Sequence, residues 1–400
     1  MSDPHRMNLI HHTMPQPASS PLAASTEPTW RVGVLFSRSG VMAVSETEHF
    51  LGTVLAIEQI NAAGGVLGRQ IEPVALDPKS DPDEYRRLAE YLLLEEGVSV
   101  IFGCSASSQR KAVLPAIERR NGLLWYCSLY EGFEFSPNVI YTGAAPNQNT
   151  LQLAAYLLRH HGRRFSLIGS DYIYPRETNR IMREVVEQHG GEIIDEVYLP
   201  YEAVTGAVSA AVKAIQKAGP DVVFSTLVGR PGREFYRLYR ELGNDPAKVP
   251  IASLTMVECE VQAVGAELCR GNITAATYFS SLEGSVNARF VAEMRVRFGA
   301  DTPVGMWAEG AYSQVHLFAQ ALAATGSLDT QKLVKAAMQV SVEAPGGTLR
   351  LDPENQHAWL RPRIAMVGTS GDFELLWQAH APIKPDPYLT TDGFASFWLD

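Results

Sequence analysis

Arg164-Phe165-Ser166-Leu167-Ile168-Gly169, followed by Ser170-Asp171-Tyr172-Ile173-Tyr174-Pro175-Arg176-Glu177-Thr178-Asn179, is an apolar run that turns through a polar link into a polar-faced helical segment. A short, nearly continuous apolar run is the pattern of a parallel strand covered on both faces, and a helix is its usual continuation. Such a junction opens on the ligand side of an α/β sheet, because small molecules bind in the crevice beyond the carboxyl ends of the strands. Tyr172 and Tyr174 therefore stand in that crevice or pack at its edge. In the crevice, each ring brings an apolar wall and one hydroxyl, which suits a small neutral polar ligand better than a phosphate or a metal.

The same alternation extends in both directions. Towards the amino terminus, apolar runs at 31–37, 70–76, 98–103 and 123–127 predict strands, and the segments 46–63, 81–96 and 110–120 predict helices. Asp81-Pro82-Asp83-Glu84 is a helix start, with a capping aspartate, proline in the first turn and acids at the positive end of the dipole. A second series begins after residue 147. Helices are expected over 148–161, 176–190, 207–218 and 232–242, and strands over 164–169, 192–199, 221–226, 251–254 and 272–279. Helices dominate 285–340, and strands return at 348–351, 363–367 and 373–378. Two βα series predict two parallel-sheet lobes.

Composition narrows the function. The 400 residues exceed one compact core, and 46% hydrophobic with 20% charged residues is the balance of a packed globular protein. A net charge of -10 argues against a direct grip on nucleic acid phosphates. Residues 1–30 are rich in Pro, Ser, Ala and Thr and hold no apolar run long enough for a signal-peptide core, so they read as a disordered leader on a cytoplasmic protein. No run of eighteen apolar residues predicts a membrane span. Cys104, Cys127, Cys259 and Cys269 lack metal-type spacing; Cys104 and Cys127 fall at neighbouring strand ends, where either free thiols or a disulfide fits.

Catalytic patterns are missing. There is no phosphate-binding glycine loop, and Gly103-Cys104-Ser105-Ala106-Ser107 departs from a nucleophile elbow at its last position. With no nucleophile, base, metal or cofactor motif, a binding protein is expected rather than an enzyme. Three junctions carry neutral hydrogen-bonding groups beside aromatic ones. These are 104–109, where Ser107 or Ser108 is either a helix cap or a ligand contact, 125–132, with Trp125, Tyr126, Cys127, Ser128 and Tyr130, and the tyrosine segment above. Together they predict a neutral, aromatic-walled pocket between the lobes.

These junctions, with Arg110-Lys111-Ala112-Val113, Tyr130-Glu131-Gly132-Phe133-Glu134, Ala145-Pro146-Asn147-Gln148-Asn149, Trp307-Ala308-Glu309 and Ile383-Lys384-Pro385-Asp386-Pro387-Tyr388, resemble the AmiC-type amide sensors, within the amide and urea branch of type I periplasmic binding proteins. The resemblance runs from about 31 to 388. It implies two Rossmann-like lobes joined by three crossovers, with 31–145 and 277–351 in the first and 146–276 and 352–400 in the second. It implies a pocket formed by Ser107, Tyr126, Ser128 and Tyr172, extended by Tyr174, Val228 and Thr255. Against the family pattern, Ser105 replaces a tyrosine, Ala106 a methionine and Ser128 a threonine, while Cys127 and Leu129 replace prolines. Smaller residues there predict a roomier pocket and an amide bulkier than acetamide. The resemblance further implies a cytoplasmic negative regulator of an amidase operon, its partner an AmiR-like RNA-binding antiterminator, with homo-oligomerisation open. The alternative is a substrate-binding receptor of an amide or urea ABC transporter.

Overall fold

The computed structural model describes residues 28–391, so residues 1–27 of the expected leader and 392–400 of the second lobe lie outside the described residues. Trp30, assigned to the leader, instead opens the first strand. Its indole donates to Val66 O over 2.8 Å and lies under the Arg69 guanidinium at 3.6 Å.

In the first lobe, strands β1 (Trp30–Leu35), β2 (Ile71–Leu76), β3 (Val100–Gly103), β4 (Leu123–Tyr126) and β5 (Val139–Tyr141) alternate with helices α1 (Ala43–Ala62), α2 (Pro82–Leu94) and α3 (Ser107–Arg119). The strands form a parallel sheet in the order β2-β1-β3-β4-β5. Val32, Val34, Val100 and Phe102 are fully buried, as expected for strands covered on both faces.

The second lobe contains α4 (Thr150–His160), β6 (Arg164–Ser170), α5 (Ile173–Gln188), β7 (Glu192–Leu199), α6 (Thr205–Ala218), β8 (Val222–Thr226), α7 (Gly229–Glu241), β9 (Ile251–Ser253), the short α8 (Glu258–Val264) and α9 (Ala266–Cys269), and β10 (Ile273–Ala276). The chain then returns to the first lobe as α10 (Ser285–Phe298), α11 (Met306–Thr325) and α12 (Thr330–Ala337). It forms a small antiparallel sheet from β11 (Ser341–Ala344), β12 (Gly347–Leu351) and β13 (Ala358–Trp359). Finally β14 (Arg363–Val367) and β15 (Phe373–Gln378) join the second sheet, whose order is β15-β14-β10-β9-β8-β6-β7. The chain thus passes between lobes three times, after β5, after β10 and before β14.

Helix α11 seats on α1 without side chains between the two backbones at one point. A Cβ on Gly52 would stand 2.1 Å from Ala308 O, so only glycine permits this approach. The consequence for function is direct, because this packing brings Trp307 to the interlobe cleft.

Four helices begin a full turn earlier than their apolar spacing predicts: α1 at Ala43, α3 at Ser107, α5 at Ile173 and α7 at Gly229. Their first turns are too short, and in α5 interrupted by Pro175, for helical spacing to show there. None of the four has a side-chain cap of the Ser, Thr or Asp type. At α3 the Gln109 carboxamide accepts from the Ser105 and Ala106 N–H groups instead, so of the two roles open to Ser107 and Ser108 the helix cap is not taken. All four helix starts point at the space between the lobes.

Candidate ligand-binding site

That space is a cavity of about 40 Å³. On the same measure one water needs roughly 10–15 Å³, so there is room for a molecule of a few non-hydrogen atoms. From the first lobe it is lined by Met42 and Ser45 at the start of α1, by Ser105 and Ala106 before α3, by Ser128 and Leu129 after β4, and by Trp307. From the second lobe come Tyr172 and Tyr174, Val228 and Gly229, Tyr236, and Thr255.

Six of the nine residues singled out in the sequence meet here: Ser105, Ser128, Tyr172, Tyr174, Val228 and Thr255. Ser105 and Ser128 place their hydroxyls 3.3 Å apart, and Thr255 Oγ1 lies 3.3 Å from Ser253 Oγ. Tyr172 caps α5 in extended backbone geometry, and its ring tilts against Tyr201 at 5.0 Å and Tyr174 at 6.5 Å. Val228 receives support from β6, its N–H donating to Ser170 Oγ over 3.2 Å.

The other three do not line the cavity. Tyr126 is fully buried beneath it, its hydroxyl 2.7 Å from Ser105 O and 2.9 Å from Leu129 O. It holds together the two loops that do reach the cavity. Ser107 already belongs to the first turn of α3 and is not among the lining residues; its Oγ is buried and has no hydrogen-bond partner. Cys127 faces a separate space at the crossovers, and burial pushes its thiol well above the ordinary value. Among the described residues, all four cysteines are free, so the Cys104–Cys127 disulfide is not formed.

Met42, Ser45, Trp307, Tyr236 and Met256 line the cavity without having been foreseen. Trp307, Tyr236 and Met256, bulky residues from distant segments, stand in the lining together with Ser105, Ala106 and Ser128.

Its charge balance is narrow. The only charged residues lining the cavity, among the described residues, are Arg233 and Glu260, and they pair at 3.4 Å. Burial raises the Glu260 carboxyl above its ordinary value, while Arg233 pulls it down. Three lining residues, Tyr174, Tyr236 and Trp307, have a buried polar atom that forms no hydrogen bond, although Thr178 and Ser253 lie beside the two phenols. Buried groups of this kind normally have partners, and an occupant with a carbonyl acceptor would supply them.

Two lobes on parallel sheets, three crossovers and a cavity between helix starts describe a binding architecture, and the periplasmic binding protein domain matches residues 30–393. The chain belongs to the periplasmic binding protein family.

Relatives within this family bind diverse solutes. Leu/Ile/Val-binding protein homolog 6 of Brucella abortus (strain 2308) is 25% identical over 336 residues, covering 82% of this chain and 84% of that protein. The solute-binding protein of an ABC transporter from Rhodopseudomonas palustris BisB5, solved with 3,4-dihydroxybenzoic acid, superposes with a TM-score of 0.79 at 22% identity, covering 90% of this chain and 99% of that one. The branched-chain amino acid binding protein LivJ of Streptococcus pneumoniae, solved with isoleucine, gives 0.75 at 20% identity, covering 90% and 100%. Similarity to these structures establishes the type I fold of this periplasmic binding protein.

Proposed function

We propose that this periplasmic binding protein closes its lobes on a small, uncharged, amide-like solute and acts as the substrate-binding receptor of an ABC transporter. The observation that carries the ligand class is the cavity itself: about 40 Å³, aromatic-walled, its one ion pair already neutralised within the protein. Isoleucine and dihydroxybenzoate, the ligands of the solved relatives, each bring a carboxylate. A carboxylate placed here would have to compete with Glu260 for Arg233, and burying an unpaired charge is costly. A neutral amide satisfies free donors with its carbonyl and acceptors with its NH₂ group.

Size sets the expected affinity. At a ceiling of about -1.5 kcal/mol per non-hydrogen atom, a four-atom amide gains at most roughly -6 kcal/mol, a Kd of tens of micromolar. A thermal-shift screen of urea, formamide, acetamide, propionamide, leucine and 4-hydroxybenzoate tests the assignment. Neutral amides or urea should raise the melting temperature. Stabilisation by leucine or 4-hydroxybenzoate alone would refute it.

Within the site, Tyr172→Phe and Ser128→Ala are each expected to weaken binding by about 1–3 kcal/mol if they leave a ligand group unpaired. Ser107→Ala is expected to leave the Kd unchanged, since its hydroxyl does not line the cavity. Titration calorimetry on the three variants checks both statements; equal losses in all three would mean that the cavity is misassigned.

A second reading rests on Tyr172 and Tyr174, in the segment that resembles the AmiC-type sensors: a cytoplasmic amide sensor that controls an AmiR-like antiterminator and is not an enzyme. Location separates the two. Fractionation of native cells that recovers the protein outside the cytoplasmic membrane supports the transport receptor, and recovery in the cytoplasm supports the sensor.

A further inference from the structure

Helices α1 and α8 belong to different lobes and touch beside the cavity. Glu48 on α1 and Glu258 on α8 meet at that contact. A Cβ placed on Gly305 would stand 2.8 Å from Glu258 Oε2 and 3.0 Å from Glu48 Oε2, so both oxygens occupy the small space that the glycine leaves. Each carboxylate has its other oxygen satisfied by backbone. Gly305 N–H donates to Glu48 Oε1 over 3.2 Å, and Ser280 N–H donates to Glu258 Oε1 over 2.6 Å. The two Oε2 atoms are buried without a hydrogen-bond partner, although the Cys259 thiol lies beside Glu48 and the Ser280 side chain beside Glu258.

Nothing nearby neutralises them. The titratable groups facing the pair are Cys259 and Glu260 on α8, Asp372 ahead of β15, and Tyr278 after β10, whose hydroxyl donates to Asn287. Arg233 on α7 pairs with Glu260, and among the described residues neither Glu48 nor Glu258 forms an ion pair. Two ionised carboxylates repel in so dry a site, whereas one proton held between them removes a charge and can be shared as a charge-assisted hydrogen bond.

We propose that Glu48 and Glu258 form a proton-sharing latch between the lobes, holding the cleft closed while the pair keeps one proton and releasing it when that proton is lost. This proposal rests on the reading that the lobes close around a solute. It adds that closure takes up a proton and that release is favoured by rising pH.

The direction follows from the environments of the two states. In an open cleft, water returns both carboxyls towards the ordinary value of 4.5. In the closed one, burial is the main cause that lifts Glu258 to about 7, and burial together with the Glu258 charge lifts Glu48. The closed state therefore binds more protons, so its advantage is complete below about pH 4.5 and is lost as pH rises towards 7. One shared proton changes the closed-to-open ratio by about a factor of ten per pH unit across that window.

Small-angle scattering of the ligand-free full chain between pH 4.5 and 9 tests the latch without any ligand, so a failed amide screen does not affect its outcome. The wild-type radius of gyration should rise with pH. Glu258→Gln should open less with pH than the wild type, because its carboxamide donates to Glu48 at every pH and the like charge is gone, leaving only the burial of Glu48 to respond. Glu48→Gln is the mirror variant, and it keeps the test available if one substitution does not fold. A flat wild-type profile overturns the latch, and so does a pH response in both variants equal to that of the wild type.

Discussion

Gly229→Ala is expected to lower solute affinity by at least about 100-fold while leaving the fold intact, because it puts a methyl group into the seam that closes the cleft. Gly229 opens α7 in the second lobe with φ of 64°, and its Cβ position lies 2.5 Å from Val41 Cγ2 and 2.9 Å from Val41 O in the first lobe. A side chain can rotate away, but the Val41 carbonyl is backbone, so the lobes must separate to admit the methyl. Left-handed geometry adds a strain of about 1–3 kcal/mol for a residue other than glycine. The clash exists only with the lobes together, so the open form escapes it. Calorimetric Kd values for wild type and variant decide the matter, and an unchanged Kd would mean that α7 and Val41 do not form the closing seam.

Arg110→Met is expected to cost about 3–5 kcal/mol of stability. The Arg110 side chain is fully buried, donates to Glu131 Oε1 over 2.7 Å and to Glu134 Oε1 over 2.8 Å, and lies over the rings of Tyr126 and Tyr130 at 4.8 and 5.1 Å. Glu134 also pairs with Lys111, so it keeps a partner when Arg110 is lost. Glu131 does not, and its buried charge is left alone. The double variant Arg110→Met/Glu131→Leu should recover much of the loss, since replacing a whole buried pair with apolar groups is often close to neutral. Chemical denaturation of the two variants distinguishes this from simple loss of packing, in which case the double variant would be the less stable of the two.

The legible part of this protein was the part written in contiguous residues. Apolar runs such as Arg164 to Gly169 marked buried strands, and β6, β7, β8, β14 and β15 fall where expected. The segment carrying Tyr172 and Tyr174 reached the cavity because a strand end and the following helix start are adjacent in sequence as well as in space. Trp307 is separated from those tyrosines by more than 130 residues and the passage between lobes after β10, and the packing of α11 on Gly52 brings it to the cleft. Met42 and Ser45 were hidden for a different reason. They sit at the start of α1, where Met42, Ala43 and Val44 run together without helical spacing.

The error over Ser107 has the same physical root. A one-turn difference in where α3 begins converts a loop serine facing the ligand into a helical one outside the lining. Strands of two to four residues, β5, β11 and β13, were missed because they are too short to show periodicity and are fixed by their neighbours.

The central claim is that a neutral solute of a few non-hydrogen atoms is the cognate ligand. Isothermal titration of the purified full chain with acetamide, urea and leucine in parallel tests it most directly. The account predicts binding of acetamide or urea with a Kd of tens of micromolar and no heat from leucine. Leucine binding in the micromolar range with neither neutral compound bound would contradict it.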